Sequence, residues 1–454
     1  MKFTTASLLA VLSSLVSVEA NGCIIDGGNY YCSETNKVLY KGIGFSGSYQ
    51  DVISMDETSG VCKSQPFAFS GNLAPLNEEV SVHFRGPIKL LQFGVYYPKS
   101  NSKRQLDEQD CNVKHIHHKH KRATEVVAVT ETVFVDSNGN LVTSQATSTV
   151  STSETPVSDK ASPVADPVSQ EAGTTSISAL GGEGKAYRPL STKSAPTTTS
   201  SVPESSETPT ADGAWTRSAY YTPGSADSCV FLNYYGGSGS GTWSAAFGNS
   251  LSYANADNSG GSSQPVALSS VTLPSNKEFV IMSSQQCSSD GSCGYVRPNS
   301  VAHHGFGGSS KIFVFEFEMP HDSASGFNGD MPAVWLLNAK IPRTLQYGDA
   351  SCSCWSTGCG ELDLFEILSG GSTKLISHLH SGQGAAFESN SGGAGSQDYF
   401  ARPTSGSMKA AVIFISDEVH ILKVDDSVSF DASLTEEVVN GWIQQSGSAA
   451  TIGY

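Results

Sequence analysis

Basic residues are scarce in this chain of 454 residues. Only 27 Lys and Arg stand against 43 Asp and Glu, so the formal net charge is −16. A protein that neutralises nucleic-acid phosphates needs clustered Lys and Arg, so the composition argues against a nucleic-acid partner. The sequence also lacks a P-loop, a Rossmann fingerprint and an HExxH motif. It therefore carries none of the usual signatures of nucleotide-binding sites or zinc proteases.

Long hydrophobic runs are also missing. The apolar run over residues 6–18 is too short for a membrane span, which needs about 20 residues. With Lys2 before it and Val18-Glu19-Ala20 after it, this run predicts a signal peptide over residues 1–20. The C-terminus has no hydrophobic tail of the kind that directs a GPI anchor. We therefore expect an exported protein without a membrane anchor.

Residues 113–212 contain no cysteine, and the whole chain contains no Asn-x-Ser/Thr sequon. A basic, His-rich run over residues 114–122 is followed by a tract dominated by Ser, Thr, Pro, Glu and Val. Such a tract cannot bury enough apolar surface to fold, so it predicts a disordered linker that carries O-linked glycans. The pairs Lys103-Arg104 and Lys121-Arg122 are either processing sites or part of a solvated charge run.

Ten cysteines follow the predicted signal peptide, four before residue 112 and six after residue 213. An exported chain favours disulfides, and this division indicates two separately closed domains, although the pairing stays open. A zinc site at Cys352, Cys354 and Cys359 is the weaker alternative, because histidines at ligand spacing are missing.

Short apolar runs separated by Gly, Ser, Asn and Pro predict an all-β protein. The 45 glycines disfavour long helices. For residues 213–454 we expect a concanavalin-like β-jelly-roll sandwich that forms the catalytic domain. For residues 21–112 we expect a small, disulfide-containing β-rich N-terminal module.

Three acidic residues lie within the run Glu361-Leu362-Asp363-Leu364-Phe365-Glu366. In a strand, Glu361 and Asp363 share a face, whereas Glu366 joins them only if a β-bulge absorbs one residue. Clustered carboxylates repel one another, so at least one pKa must rise. A retaining glycosidase uses such a pair, one ionised and one protonated, about 5–5.5 Å apart. The alternative is an acidic strand edge that faces solvent.

Two segments upstream strengthen the catalytic interpretation. A strand-like run over residues 311–320 ends in Pro320, and residues 330–338 contain Pro332-Ala333-Val334-Trp335-Leu336-Leu337. Together with the acidic run, this order resembles glycoside hydrolase family 16. The whole chain is similar to a fungal cell-wall group of endo-β-1,3-glucanases, which join an N-terminal module to a family-16-like domain through a Ser/Thr-rich stretch.

The resemblance implies a role for each acid. Glu361 would be the nucleophile, Glu366 the general acid/base, and Asp363 the helper that tunes their protonation. We expect all three on the concave face of the sandwich. The double-displacement chemistry requires no metal and no cofactor.

Three further residues are candidates for binding sugar. The resemblance places Trp335 on the glycone side of the cleft. His380, which shares a face with His378, either binds sugar or has a structural role. Trp355 lies in a Cys-rich insertion over residues 339–360 and is either a stacking platform or a plug beneath a disulfide.

These observations predict a secreted, retaining β-glucan hydrolase that acts on β-1,3-glucan in a cell wall. Two alternatives stay open at this point. A transglycosylase would use the same glycosyl-enzyme but transfer it to a second sugar. A non-catalytic glycan-binding or structural glycoprotein could use the same fold, because fold does not determine function.

Overall fold

A computed structural model describes residues 22–99, 214–288, 291–384, 392–450 and 452. The predicted signal peptide and the predicted linker lie outside the described residues, so their expected properties stay predictions. Within the described residues, no helix is long and apolar enough to cross a membrane.

Strands dominate the described chain. In chain order they are β1 Ile24–Asp26, β2 Asn29–Tyr31, β3 Lys37–Tyr40, β4 Gly47–Met55, β5 Cys62–Phe69, β6 Val80–Arg85, β7 Lys89–Pro98, β8 Trp215–Thr222, β9 Ser225–Asp227, β10 Cys229–Asn233, β11 Trp243–Ser244, β12 Gly248–Asn249, β13 Ser252–Ala254, β14 Gly261–Ser262, β15 Glu278–Ser283, β16 Lys311–Glu318, β17 Ala333–Asn338, β18 Glu361–Glu366, β19 Lys374–Ser381, β20 Gly392–Gly395, β21 Phe400–Ala401, β22 Met408–Ile415, β23 Glu418–Lys423, β24 Ser433–Leu434 and β25 Ser448–Ala450. The helices are α1 Lys340–Thr344 and α2 Glu436–Gln444, with 3-10 turns at Ala350–Cys352 and Trp355–Thr357.

Two large sheets contain most of these strands. Sheet A has the order β14-β13-β10-β15-β6-β17-β18-β19-β20, with β21 paired to β19. Sheet B has the order β24-β8-β7-β16-β22-β23-β3-β25, with β9 paired to β8. The apolar runs in the sequence therefore form strands as predicted, and long helices are absent from the described residues.

A single apolar core joins the inner faces of the two sheets. In β6, Val80, Val82 and Phe84 point into this core and are fully buried. Phe84 contacts Phe315 of sheet B with ring centroids 6.3 Å apart. Burying a large apolar side chain contributes about 1.5–3 kcal/mol, so these alternate residues hold the sheets together. The predicted all-β sandwich is confirmed.

The separate N-terminal module expected for residues 21–112 is not what the sheets show. Strand β6 lies between β15 and β17 at the centre of sheet A. In sheet B, β7 pairs with β8 and β16, and β3 pairs with β23 and β25. Without β6, sheet A would have two unpaired strand edges in its middle. Residues 22–99 therefore complete the sandwich, so residues 214–452 do not build it alone.

The disulfides support the same correction. Cys62 of β5 is bonded to Cys352, across a sequence separation of 290 residues. The expectation of two separately closed groups is therefore wrong, because this bond joins them. The zinc alternative also fails, since Cys354 is bonded to Cys359. Within the described residues, the other bonds are Cys23–Cys32 and Cys287–Cys293, and Cys229 is a buried free thiol.

Helix α2 covers the outer face of sheet B. Its Val439 and Trp442 pack on Ile312, Val314 and other apolar side chains of that face. Thr435 caps the helix, because its side chain accepts a hydrogen bond from the backbone N–H of Val438. On the outer face of sheet A, which carries the acidic run, the short helix α1 contributes Ile341 to a small apolar cluster with Trp335 and Leu337.

Candidate active site

Strand β18 contains a β-bulge, as predicted from the spacing of its three acids. Its pairing with β19 shifts register between Asp363 and Glu366. Its pairing with β17 shifts at the same point, so that Leu364 is the extra residue. Leu362, Leu364 and Phe365 all lie in the inter-sheet core. The bulge therefore lets three apolar residues face inward while all three acids line one cleft.

The register of sheet A arranges the residues of its outer face in three rows across neighbouring strands. These rows are Ser81, Leu337, Glu361 and His380; His83, Trp335, Asp363 and His378; and Glu278, Arg85, Ala333 and Glu366. Each acid of β18 thus has fixed neighbours on β17 and, for the first two, a histidine on β19. The order of the rows places Asp363 between the two glutamates.

Asp363 is the most enclosed of the three acids, with only 5% of its surface exposed. Its Oδ2 lies 3.0 Å from Nε2 of His380. Burial and the nearby Glu366 charge raise the pKa of Asp363 well above its ordinary value, and Arg85 opposes this shift. Burial and the Asp363 charge likewise raise the pKa of Glu361 to about 8. Glu361 and Asp363 therefore retain protons at a pH where isolated carboxyls have lost them.

Glu366 has a different partner from the other acids. Its Oε1 lies 3.1 Å from Nη2 of Arg85, which also donates from Nε to the carbonyl of Met331 at 2.8 Å. Arg85 stands two strands away in the same row, beyond Ala333 of β17, with Glu278 on its other side. A guanidinium held at two points can fix the carboxylate that it contacts.

Trp335 lines the cleft beside the acids, as expected of a substrate-binding residue. Its ring stacks on the buried His83 ring with centroids 5.2 Å apart. Nε2 of His83 lies 2.8 Å from the hydroxyl of Ser81, and burial lowers the pKa of His83 to about 3. Arg85 lies 5.9 Å above the indole of Trp335. A neutral imidazole and a guanidinium therefore hold the ring in place.

The two histidines of β19 lie on one face, as their spacing predicts, and the register places this face beside the acids of β18. The rings of His378 and His380 lie 4.4 Å apart. Burial lowers the pKa of His378 to about 4. Gly395 lies opposite His378, and a Cβ at this glycine would come within 2.4 Å of Nδ1. Glycine is needed there because the ring stands over its backbone.

Trp355 reaches the site from the disulfide-linked insertion. Half of its surface is exposed, and its indole N–H donates a hydrogen bond to Oε2 of Glu361. Its ring centroid lies 6.3 Å from that of His380. Trp355 is thus part of the cleft wall, and the interpretation as a plug beneath a disulfide is wrong.

Two adjoining cavities form the cleft. The cavity that contains the three acids has a volume of about 310 Å³. A larger one of about 680 Å³ adjoins it and shares Arg85 and Tyr347. Rings line this outer cavity together with Lys277 and Glu278; they belong to Tyr234, Tyr235, Phe327 and Tyr347. The cleft therefore extends from the acids across β17, β6 and β15.

Metal ligation has little support in the described part of the chain. The side chains of ligand type that cluster there are Cys287, Cys293 and His304. The two cysteines form a disulfide, so their sulfur atoms are not thiolates. His304 is bonded to Glu79 at 2.6 Å. This group therefore serves as a structural link.

Arg85 and His83 are site residues that the sequence reasoning missed. They were assigned to a separate module, so nothing placed them beside the acids. A signal was nevertheless present, because Ser81, His83 and Arg85 alternate with Val80, Val82 and Phe84. Period-two alternation of this kind predicts a strand with one polar face.

The chain matches known proteins over both of its segments. A family model for the C-terminal region of cell wall protein YJL171C/Tos1 matches residues 213–442, and one for the N-terminal region matches residues 36–98. No solved structure matches the chain.

Full-length relatives occur in several fungi. The chain is 66% identical to a Candida albicans protein named probable circularly permuted 1,3-beta-glucanase TOS1, with 100% of each chain covered. A Saccharomyces cerevisiae protein of the same name is 49% identical over 99% of each chain. A Schizosaccharomyces pombe protein, also named a probable circularly permuted 1,3-beta-glucanase, is 40% identical over 98% of each chain. The chain therefore belongs to the YJL171C/Tos1 family of cell wall proteins.

Proposed function

We propose that this protein is a retaining glycoside hydrolase of the fungal cell wall. It cleaves internal glycosidic bonds of β-1,3-glucan. The observation that carries the proposal is the bulge in β18, which brings Glu361, Asp363 and Glu366 to one cleft. A protein gains no stability from three carboxylates that repel one another, whereas glycoside hydrolysis needs carboxyl groups in different protonation states. The names of the relatives support the same activity.

The proposed reaction has two steps. In the first, a Glu361 carboxylate oxygen forms a bond to the anomeric carbon, and the bond from that carbon to the glycosidic oxygen breaks. Glu366 gives its proton to the departing oxygen. In the second step, Glu366 takes a proton from water, the water oxygen binds the anomeric carbon, and the bond to Glu361 breaks. Both substitutions invert the carbon, so the β configuration is retained.

Asp363 tunes this pair, because it lies between the two glutamates and its pKa is raised. The Asp363 charge raises the pKa of Glu361, so a proton held on Asp363 favours ionised Glu361. Arg85 orients Glu366 through the 3.1 Å contact. These roles agree with the resemblance to glycoside hydrolase family 16, which is part of the proposal.

The sugar chain would lie across the strands of sheet A. Trp335 and Arg85 border the reactive position on the side of β17 and β6, which the resemblance identifies as the glycone side. Further glucose units of the substrate would occupy the outer cavity. Its aromatic rings would stack on the apolar faces of these sugars, and Lys277 and Glu278 would form hydrogen bonds with their hydroxyls. His380 and Trp355 border the opposite side. The outer cavity beyond Arg85 leaves room for further sugar units, which fits cleavage within a long chain.

The location and the linker are further parts of the proposal. The signal sequence over residues 1–20 would direct export, and the Ser/Thr-rich residues 123–212 would carry O-linked glycans. The order of the strands supports the family interpretation, because residues 37–98 supply β3, β6 and β7 to sheets that are otherwise built from the C-terminal segment. The names of the relatives describe circular permutation, and this order fits it.

The decisive experiment incubates the purified full chain with defined oligosaccharides of β-1,3, β-1,4 and β-1,6 linkage. We expect shorter products from β-1,3-linked chains only, with the β-anomer formed first in NMR spectra. Glu361→Gln should abolish this activity, whereas Glu437→Gln on the exposed side of α2 should not. Longer products would identify a transglycosylase. Binding without any product would favour the glycan-binding alternative.

A further inference from the structure

The insertion that carries Trp355 is tied down at several points. Cys354 and Cys359 close it on both sides of the indole, and Cys62 bonds Cys352 to strand β5. The backbone N–H of Gln50 on β4 donates to the hydroxyl of Thr357 at 2.9 Å. The N-terminal segment thus holds the short turn on which the indole sits.

The 3-10 turn ends at a position that requires glycine. Gly358 has a φ of +91°, which side chains rarely adopt, and a Cβ there would lie 3.1 Å from the backbone nitrogen of Gly382. The turn is thereby pressed against the end of β19, which carries His380. This close approach brings the indole N–H of Trp355 to Glu361.

The groups that face Glu361 fall into two sets. Asp363 and Glu366 repel a charge on Glu361, and burial opposes that charge as well. Two groups favour the charged form, namely His380 on β19 and the indole N–H of Trp355. Arg85 is engaged with Glu366. Trp355 is the one of these favourable partners that donates a hydrogen bond to the Glu361 carboxylate itself.

We propose that Trp355 is a positioning residue, whose indole N–H orients the Glu361 carboxylate and stabilises its ionised form. The bond occupies Oε2 and so leaves Oε1 as the oxygen that faces the substrate. This inference rests on the proposed function, in which Glu361 is the nucleophile. It gives the disulfide-linked insertion a specific task, because the two bonds deliver a donor to the reactive group.

The test compares Trp355→Phe with Trp243→Phe in the full chain. The first variant keeps an aromatic ring but removes the donor, and the second removes an exposed indole that lies outside the cleft cavities. Glutamate is labelled with ¹³C at the side-chain carboxyl, and the Glu361 signal is identified by its loss in Glu361→Gln. Carboxyl titration then reports Glu361 without any need for turnover.

We expect the midpoint of the Glu361 titration to move upward by about one pH unit in Trp355→Phe and to stay in place in Trp243→Phe. The acidic limb of kcat/KM should move upward with it, since less Glu361 is ionised at a given pH. An unmoved midpoint in a Trp355→Phe variant that melts at the wild-type temperature would overturn the inference.

A second measurement covers the case in which Trp355→Phe does not fold. In the wild type, the ¹⁵N indole signal of Trp355 should titrate with the Glu361 midpoint, and Glu361→Gln should remove this titration. If the ¹⁵N indole signal of Trp355 does not change with pH at the Glu361 midpoint, the inference is overturned. A wild type that acts on no glucan would instead overturn the proposed function, while the titrations would still decide whether Trp355 stabilises ionised Glu361.

Discussion

The outer faces of the two sheets share the alternating pattern of strands but differ in what they present. One face is packed against a helix, and the other borders a polar cleft. On sheet B, the outward residues of β16 and β22 include Ile312, Val314, Ala411 and Ile413, and α2 covers these apolar side chains with Val439 and Trp442. On sheet A, the outward residues of β6, β18 and β19 include acids, histidines and Arg85, and the acids and Arg85 border a cleft. Both faces lie over the same inter-sheet core.

The difference shows where this fold gains stability and where it loses some. The face of sheet B buries apolar side chains of β16, β22 and α2 against one another, so these contacts stabilise the fold. The face of sheet A carries Glu361 and Asp363, whose pKa values are raised, which means that folding disfavours the charged forms of these two acids. Substitutions on the face of sheet A should therefore mainly change kcat/KM, and those on the face of sheet B should mainly change the free energy of unfolding.

The largest effect should come from the two glutamates of sheet A. Glu361→Ala and Glu366→Ala should each lower kcat/KM on β-1,3-glucan by about 10³-fold or more, because one loses the nucleophile and the other the acid. Glu366→Ala should still react with substrates that have activated aryl leaving groups, and azide should then yield a β-glycosyl azide. Near-normal rates in both variants would contradict the proposed roles.

The matching test on sheet B is Trp442→Ala. Trp442 is 7% exposed and packs on the outer face, so its loss should lower the free energy of unfolding by about 3–5 kcal/mol. Activity per folded molecule should stay unchanged. Denaturant titration measures the first quantity, and Trp442→Phe should lose less. A loss of activity without a loss of stability would break the comparison between the faces.

A pair of arginines sharpens the comparison. Arg85→Gln on sheet A should lower kcat/KM by about 10²-fold, because Glu366 loses the group that orients it. Arg217→Gln on sheet B removes a guanidinium that lies 3.7 Å over the Tyr220 ring and bonds the carbonyl of Phe430. We expect this control to lower the melting temperature but to leave kcat/KM within twofold of the wild type.

The pH dependence should separate the faces further. In the unfolded chain Asp363 ionises near its ordinary pKa, whereas in the folded protein it keeps its proton to higher pH. The contribution of Asp363 to the free energy of unfolding should therefore be greatest at a pH below its pKa in the unfolded chain. It should be lost as the pH rises through its pKa in the folded protein.

Asp363→Asn cannot ionise, so this variant should lose less stability as the pH rises and should be about 1–2 kcal/mol more stable than the wild type at pH 7. Its acidic limb of kcat/KM should move to lower pH, because the charge that raises the pKa of Glu361 is gone. Melting curves and rate profiles from pH 4 to 9 measure both shifts. If the acidic limb of kcat/KM moved to higher pH in Asp363→Asn, the proposed effect of the Asp363 charge on Glu361 would be contradicted.

The smallest expected effect concerns the outer cavity. Phe327 is 82% exposed at its rim, so Phe327→Ala should leave stability unchanged. It should lower kcat/KM about fivefold on long β-1,3-oligosaccharides and not on the shortest ones cleaved. Ile25→Ala, which removes an exposed apolar side chain outside the cavity, serves as the control. Equal losses on short and long chains would exclude Phe327 as a contact for distant sugar units.

The acidic run itself could be interpreted from the sequence because its geometry is local. The spacing of Glu361, Asp363 and Glu366, together with the apolar residues between them, already required a bulge if all three were to share a cleft. The bulge follows from this spacing, whereas the structure decides that both Leu364 and Phe365 face inward. The same reasoning placed His378 and His380 on one face.

The partners of these acids could not be derived in this way. Arg85 is 281 residues away from Glu366 in the chain, and its contact depends on β6 entering sheet A beside β17. The Cys62–Cys352 bond likewise joins segments that composition had divided between two domains. A linker-like stretch between two β-rich segments does not reveal that both segments build the same sheets.

The sequence by itself determined the fold class, the strand that carries the acids and the face to which they point, because the alternation of side chains along a strand is a local property. The tertiary structure alone decided that β3, β6 and β7 complete the sandwich, that Arg85 contacts Glu366, and that Trp355 donates to Glu361. Strand pairing across hundreds of residues depends on which edges and apolar faces fit together, and this information is distributed over the whole chain.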